Sequence, residues 1–324
     1  NTLIGYLAGD ALDTMTHNTA VGYGALGGSS AVDSTVVIGS GAGAGAMTAA
    51  ADGAVLIGYA AGAALTSGAN NIAIGQNAML LLTTGSENIA IGDGALAASV
   101  AGMDYCIAIG TGALGDLNHT GADANIGIGY NAGGAMGAIT SNNNIFIGKN
   151  CGGGSWTGDQ SDKNIAIGNE SMGGAMNNTT YNVCVGTEAG KVITGDGNTC
   201  VGHQSGVAIA AGTYSTCVGY GAGYGISSGG NNLLLGHGAG QSGSPSGNIT
   251  GESSEICLGN NSIVEAHVKV DWTIDSDERD KTDITNFTHG LDYVNELRPV
   301  NFVWDMRSDY VERQSDEDGN RIPI

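Results

Sequence analysis

The densest run of chemically capable side chains lies near the C-terminus: Ser276-Asp277-Glu278-Arg279-Asp280-Lys281-Thr282-Asp283-Ile284. A serine hydroxyl is a weak nucleophile and attacks a carbonyl only with a base beside it. A lysine amine serves as that base only when desolvation or a neighbouring cation lowers its pKa. Arg279 is such a cation, whereas Asp277, Glu278, Asp280 and Asp283 act the other way unless they point outward. The same residues also spell an ordinary helix start, with Ser276 as N-cap and acids in the first turn. On local pattern alone the helix start is the better reading.

What positions this segment is a repeat. Asn71-Ile72-Ala73-Ile74-Gly75 recurs as Asn88-Ile89-Ala90-Ile91-Gly92 and Asn164-Ile165-Ala166-Ile167-Gly168, with looser copies throughout. The motif glycine occurs fifteen times between Gly5 and Gly259, at spacings of 16 to 23 residues and a mean near 18 (254/14). The residue before it is Ile, Val or Leu in all fifteen copies, and two residues earlier it is β-branched in fourteen. The position between those two is Ala, Cys or Gly in ten, so branched and small side chains alternate on opposite faces of a strand. The third residue after the glycine is always Ala, Ser or Cys, a second small corner.

A strand of about five residues, a glycine corner, a short second strand and a variable loop cannot bury an apolar face alone. Stacked copies can, and that is a β-solenoid. Fifteen rungs at about 4.8 Å make a rod roughly 70 Å long, with the leading Asn residues stacked as a ladder. The small-residue face suits close approach by neighbouring chains. Its interior makes Ala73→Leu or Ala90→Leu an overpacking substitution.

Composition narrows the setting. Of 324 residues 58 are Gly and only 3 are Pro, without the triplet period of collagen. Thirty-one acids against ten bases leave a net charge of −21, which disfavours a nucleic-acid backbone as partner. No run of 18 apolar residues is present, so no membrane insertion is expected. Up to Gly259 there are 16 acids and 3 bases; the remaining 65 residues hold 15 and 7, a shift that marks a boundary. The chain opens in the middle of the repeat pattern and reads as part of something longer.

The repeat also explains most reactive side chains. Cys184, Cys200, Cys217 and Cys257 occupy the small strand slot, Cys151 the small corner, and Cys106 precedes its strand. They read as small buried hydrophobes of a reducing cytoplasm. No CxxC pair, HxxxH or HExxH occurs, so no metal and no cofactor is expected. Trp156, in the loop Ser155-Trp156-Thr157-Gly158-Asp159, has two readings: stacking on a sugar ring, or folding back over the solenoid edge.

After Ser262 the repeat stops. Residues Val264 to Trp272 alternate as a terminal strand or linker over 264–275. Downstream, Leu291, Val294 and Leu297 have helical spacing, Pro299 closes that helix, and Val300, Phe302 and Trp304 alternate as a strand. The order Ser-Asp-x-Arg-x-Lys, Gly290-Leu291-Asp292, then Leu297-Arg298-Pro299-Val300 and an aromatic strand resembles the intramolecular chaperone, auto-processing domain of phage tail fibres and tailspikes. That domain also occurs in the eukaryotic myelin regulatory factor. The resemblance implies that Ser276 is the nucleophile and Lys281 the base of one self-cleavage, with scission between Asp275 and Ser276. Residues 276–324 would be the first part of a longer domain. The repeat over residues 1–263 is similar to the β-roll heads of trimeric autotransporter adhesins and to phage tail-fibre repeats.

The expected architecture is therefore all-β: a trimeric β-solenoid of about fifteen rungs, followed by the start of a small α+β chaperone domain. The expected function is that of a homotrimeric tail fibre of the virion, assembled in the host cytoplasm. Its partners would be other tail proteins and a host-surface glycan or protein receptor, and its chemistry at most a single-turnover Ser/Lys autoproteolysis. The alternatives are a bacterial trimeric surface adhesin and a trimeric glycan depolymerase.

Overall fold

The computed structural model describes residues 1–99, 102–137, 140–156 and 160–269. Two compact units divide at Ala266/His267. The first is a β-solenoid. Fifteen three-residue strands, from β1 (Thr2–Ile4) to β15 (Ile256–Leu258), form one parallel sheet in strictly sequential order. Each strand pairs with the next in unbroken register, as Ile72, Ala73 and Ile74 lie against Ile89, Ala90 and Ile91. The one helical element among the described residues is a single 3-10 turn, Ala49–Ala51.

The motif glycine is required by geometry. Its φ lies between 103° and 141° in all copies but the last, a region closed to side chains. At Gly22 an added Cβ would sit 2.6 Å from the carbonyl oxygen of Gly39, so successive rungs approach through bare backbone. The short second strand expected from sequence does not form among the described residues. Past the motif glycine the second and fourth residues are left-handed, as at Asn77 (φ 55°) and Met79 (φ 53°), which coils the chain into a turn. The ladder between rungs persists even so, for example from Asn77 N–H to Tyr59 O at 2.9 Å. Residues 264–269 form no strand either: Val264 is 91% exposed, with no neighbouring rung to pair against.

The strand faces are the reverse of the expected use. The middle residue of each inner strand, the small slot, is fully buried inside its own chain: Ala73, Ala90, Ala108, Cys184 and Cys200 have no exposure. The branched residues on either side point outward. The reason is the opposite wall of the rung. Where the mid-strand residue is Ala, the fourth residue after the motif glycine is Leu or Met: Ala20 with Leu26, Ala73 with Met79, Ala90 with Leu96, Ala108 with Leu114, Ala166 with Met172. Where it is larger, that corner is Gly, as in Leu56 with Gly62, Phe146 with Gly152 and Leu234 with Gly240. A Cβ on Gly62 would meet the Leu56 methyl at 2.7 Å. A further buried residue in most rungs, such as Leu65, Leu82, Met136 or Ile209, completes the interior beside whichever wall carries the larger side chain. Two rungs depart from this exchange between walls: at Gly127 with Gly133, Leu114 and Phe146 of the adjacent rungs take the space, and in the last rung Cys257 is followed by an exposed Ile263.

Beside this core runs the Asn ladder. The side-chain oxygen of Asn144 accepts the backbone N–H of Asn164 at 3.0 Å, that of Asn164 accepts from Asn182 at 3.1 Å, and that of Asn182 accepts from Asn198 at 2.8 Å. Each amide nitrogen donates onward, as Asn164 does to Thr179 O at 2.7 Å. All four Asn are buried, and their polar atoms are fully paired.

Candidate functional site

The residues singled out for chemistry divide between two regions. Asp275, Ser276 and Lys281 lie outside the described residues. Trp156 lies within them, and the structure has the folded-back arrangement. The indole is 5% exposed, packs edge-on against Phe146 with ring centroids 5.6 Å apart, and donates its N–H to Gly152 O at 3.1 Å. Its face is spent on covering the solenoid, which leaves no platform for a sugar.

The feature with the chemistry of a contact surface is the outer face of the sheet. Each strand presents two residues there, and all thirty are Ile, Val, Leu or Thr. No charge interrupts the band. Ile74, Ile91, Ile109, Ile167 and Val218 keep 36–37% of their surface in solvent, and their partners across the strand, such as Ile72 and Ile89, are half-buried. Parallel sheets are normally covered on both faces. In this chain one face is covered and the other is bare over roughly 67 Å, fourteen steps of about 4.8 Å.

Polar and aromatic columns border the band. The residue directly after the motif glycine forms one column, in which Tyr6, Tyr23, Tyr59, Tyr130 and Tyr220 are 55–71% exposed. Tyr6 stacks on Tyr23 at 5.7 Å, and His203, Tyr220 and His237 follow one another at 5.0 and 5.3 Å. The fifth residue before the motif glycine forms the opposite column, where Lys163 lies 5.0 Å over the Tyr181 ring and donates to its hydroxyl at 3.1 Å. Nearby, Lys191 bridges Glu170 and Glu188 at 2.7 and 2.6 Å. Those contacts, Glu170 first, push its amine up to about 12, and the Lys191 contact holds Glu188 below the usual carboxylate range.

Sequence reasoning found the strands but assigned their outer face to the wrong residues, and it missed the aromatic columns. The columns are visible once every copy is aligned on its glycine. Among the described residues no three His, Cys, Asp or Glu side chains gather around a cation position. No helix among them is long and apolar enough to cross a membrane.

Residues 276–322 match the family described as chaperone of endosialidase. The matched stretch begins at Ser276 and contains Lys281. No curated protein and no solved structure matches the chain.

Proposed function

We propose that the chain is the rod of a homotrimeric, tail-fibre-like attachment protein, with an assembly chaperone at its C-terminal end that severs itself once. The observation that carries this reading is a conjunction. A solenoid with one sheet face left apolar and bare is followed directly by a segment matched to a chaperone family. Such a face needs other chains to cover it, and a chaperone that registers those chains is the complementary device. The exposed loops between rungs would then meet the host surface, glycan or protein, and the solenoid's excess of 16 acids over 3 bases turns the rod away from phosphate backbones. The virion is the setting this implies.

In the processing step Ser276 Oγ bonds the Asp275 carbonyl carbon while Lys281 takes the hydroxyl proton. The peptide C–N bond breaks and its nitrogen receives that proton, leaving an ester. Water opens the ester to a carboxylate on Asp275 and a free amine and hydroxyl on Ser276. Nucleophile and base act as one unit, so losing either stops the reaction. Expressed from its complete reading frame, the wild type should run on a denaturing gel as two fragments, and Ser276→Ala and Lys281→Ala each as intact precursor. Asp280→Ala should still cleave. A wild-type band at precursor mass would refute self-processing, and cleavage by Ser276→Ala would remove that residue as nucleophile.

A further inference from the structure

The two bordering columns are matched to each other in a way that contacts within one chain do not explain. The column after the motif glycine may be called the exit column, and the one five residues before it the entry column. Both share the outward parity of the branched band between them. Eight of the nine described Tyr residues fall in these two columns, and all nine are exposed. The entry residue is left-handed in every rung from His17 (φ 63°) to Ser254 (φ 64°), yet Gly occupies it only at Gly53 and Gly197. A side chain is thus kept where glycine would sit more easily.

In several rungs a large aromatic residue in one column accompanies a smaller residue in the other. Tyr59 faces outward in the rung of Gly53, Tyr130 in that of Ala124, and His203 in that of Gly197. In the opposite sense, Tyr105 shares a rung with Thr111, and Tyr181 with Thr187. Two rungs pair aromatic with aromatic, His17 with Tyr23 and Tyr214 with Tyr220. The interior pairs trade size in the same sense, and they touch. Entry and exit residues of one chain do not: six residues of near-extended chain hold them roughly 15–20 Å apart.

We infer that the exit column of one copy packs on the entry column of the next copy, rung for rung, with no offset along the axis. The inference rests on the trimeric reading above. Copies related by rotation alone keep equal rungs at equal height, and a ring of more than two joins two different edges at each seam. Apolar band and borders together cover roughly 20 by 67 Å, about 1,300 Å² per copy at these strand spacings; divided between the two seams of a copy this is about 650 Å² each, close to the roughly 800 Å² per partner of an interface of standard size. The borders then supply the polar, Tyr-rich rim around an apolar centre. One rung sets like charges together, Glu87 and Asp93, and marks the weakest point of the seam.

Ala124→Cys with Tyr130→Cys tests the register. Treated with dibromobimane under native conditions, this same-rung pair should give covalent dimers and trimers in several-fold higher yield than either pair shifted by one rung, Ala124→Cys with Thr111→Cys or with Lys149→Cys. Single variants should give none, because the native cysteines are buried. Particles that weigh as trimers but cross-link best in a shifted pair would overturn the register and leave the trimer standing; particles that weigh as monomers would remove both. Glu87→Lys should slow dissociation of the assembly in detergent several-fold, and an unchanged or faster rate would count against the seam.

Discussion

A cysteine in this chain does the work of an alanine with a larger side chain. Cys184, Cys200 and Cys217 stand in register on consecutive strands, each opposite a corner glycine that makes room for the extra atom. All six thiols are free and buried. Burial pushes Cys106 up to about 11 and Cys151 up to about 12; Cys200 is raised first by its contact with Cys184, and Cys217 first by its contact with Cys200. A thiol in that state carries almost no thiolate near neutrality and reacts slowly. Ellman's reagent at pH 8 should therefore find no fast thiol at Cys106 or Cys151 in the native protein and six equivalents per chain in denaturant. Fast native reaction at either residue would place it on the surface. The buried role of the cysteines was legible from their slots in the repeat. The fate of Trp156 was not, since it depends on Phe146 ten residues back and on the absence of a side chain at Gly152, and those meet only when the rung closes.

Strand and corner form one packing unit, and its rule is a conserved sum of volumes across the rung. Ala90→Leu should cost about 1–3 kcal/mol, because Leu96 already fills the interior opposite. Adding Leu96→Gly should return most of that loss, reproducing the Leu56 and Gly62 arrangement found two rungs earlier. Thermal melts of the single and double variants decide it; equal destabilisation in both would mean that the two slots are independent. Period, strand positions and the Asn ladder could be read from the sequence because each depends on residues within one copy or on the same slot of the next. The direction of the faces could not. Alternation says that Ala73 and Ile74 point opposite ways, and only the partner wall, Met79 in that rung, decides which way is in. The second strand was misjudged for a local reason: left-handed residues at Asn77 and Met79 do not announce themselves in side chains that strands and helices also use.

For the whole molecule, the account turns on an apolar band with no charge among its thirty positions, lying in a chain whose net charge is −21. A band of this length left in water is an association surface, and three chains meeting through it would bury it while the polar loops stay outside. Separation of the chains would then be slow, since all rungs must part together. The chaperone segment was legible in the order of its motifs, and the family match over residues 276–322 agrees with that reading. The most direct measurement is the native mass of the protein beside that of an Ile91→Asp, Ile109→Asp variant. The wild type should weigh as three chains. The variant should weigh as one chain or dissociate at far lower concentration, with its β-sheet circular dichroism retained, because both substitutions lie outside the core. A wild-type protein that is a folded, stable monomer at micromolar concentration would contradict the account.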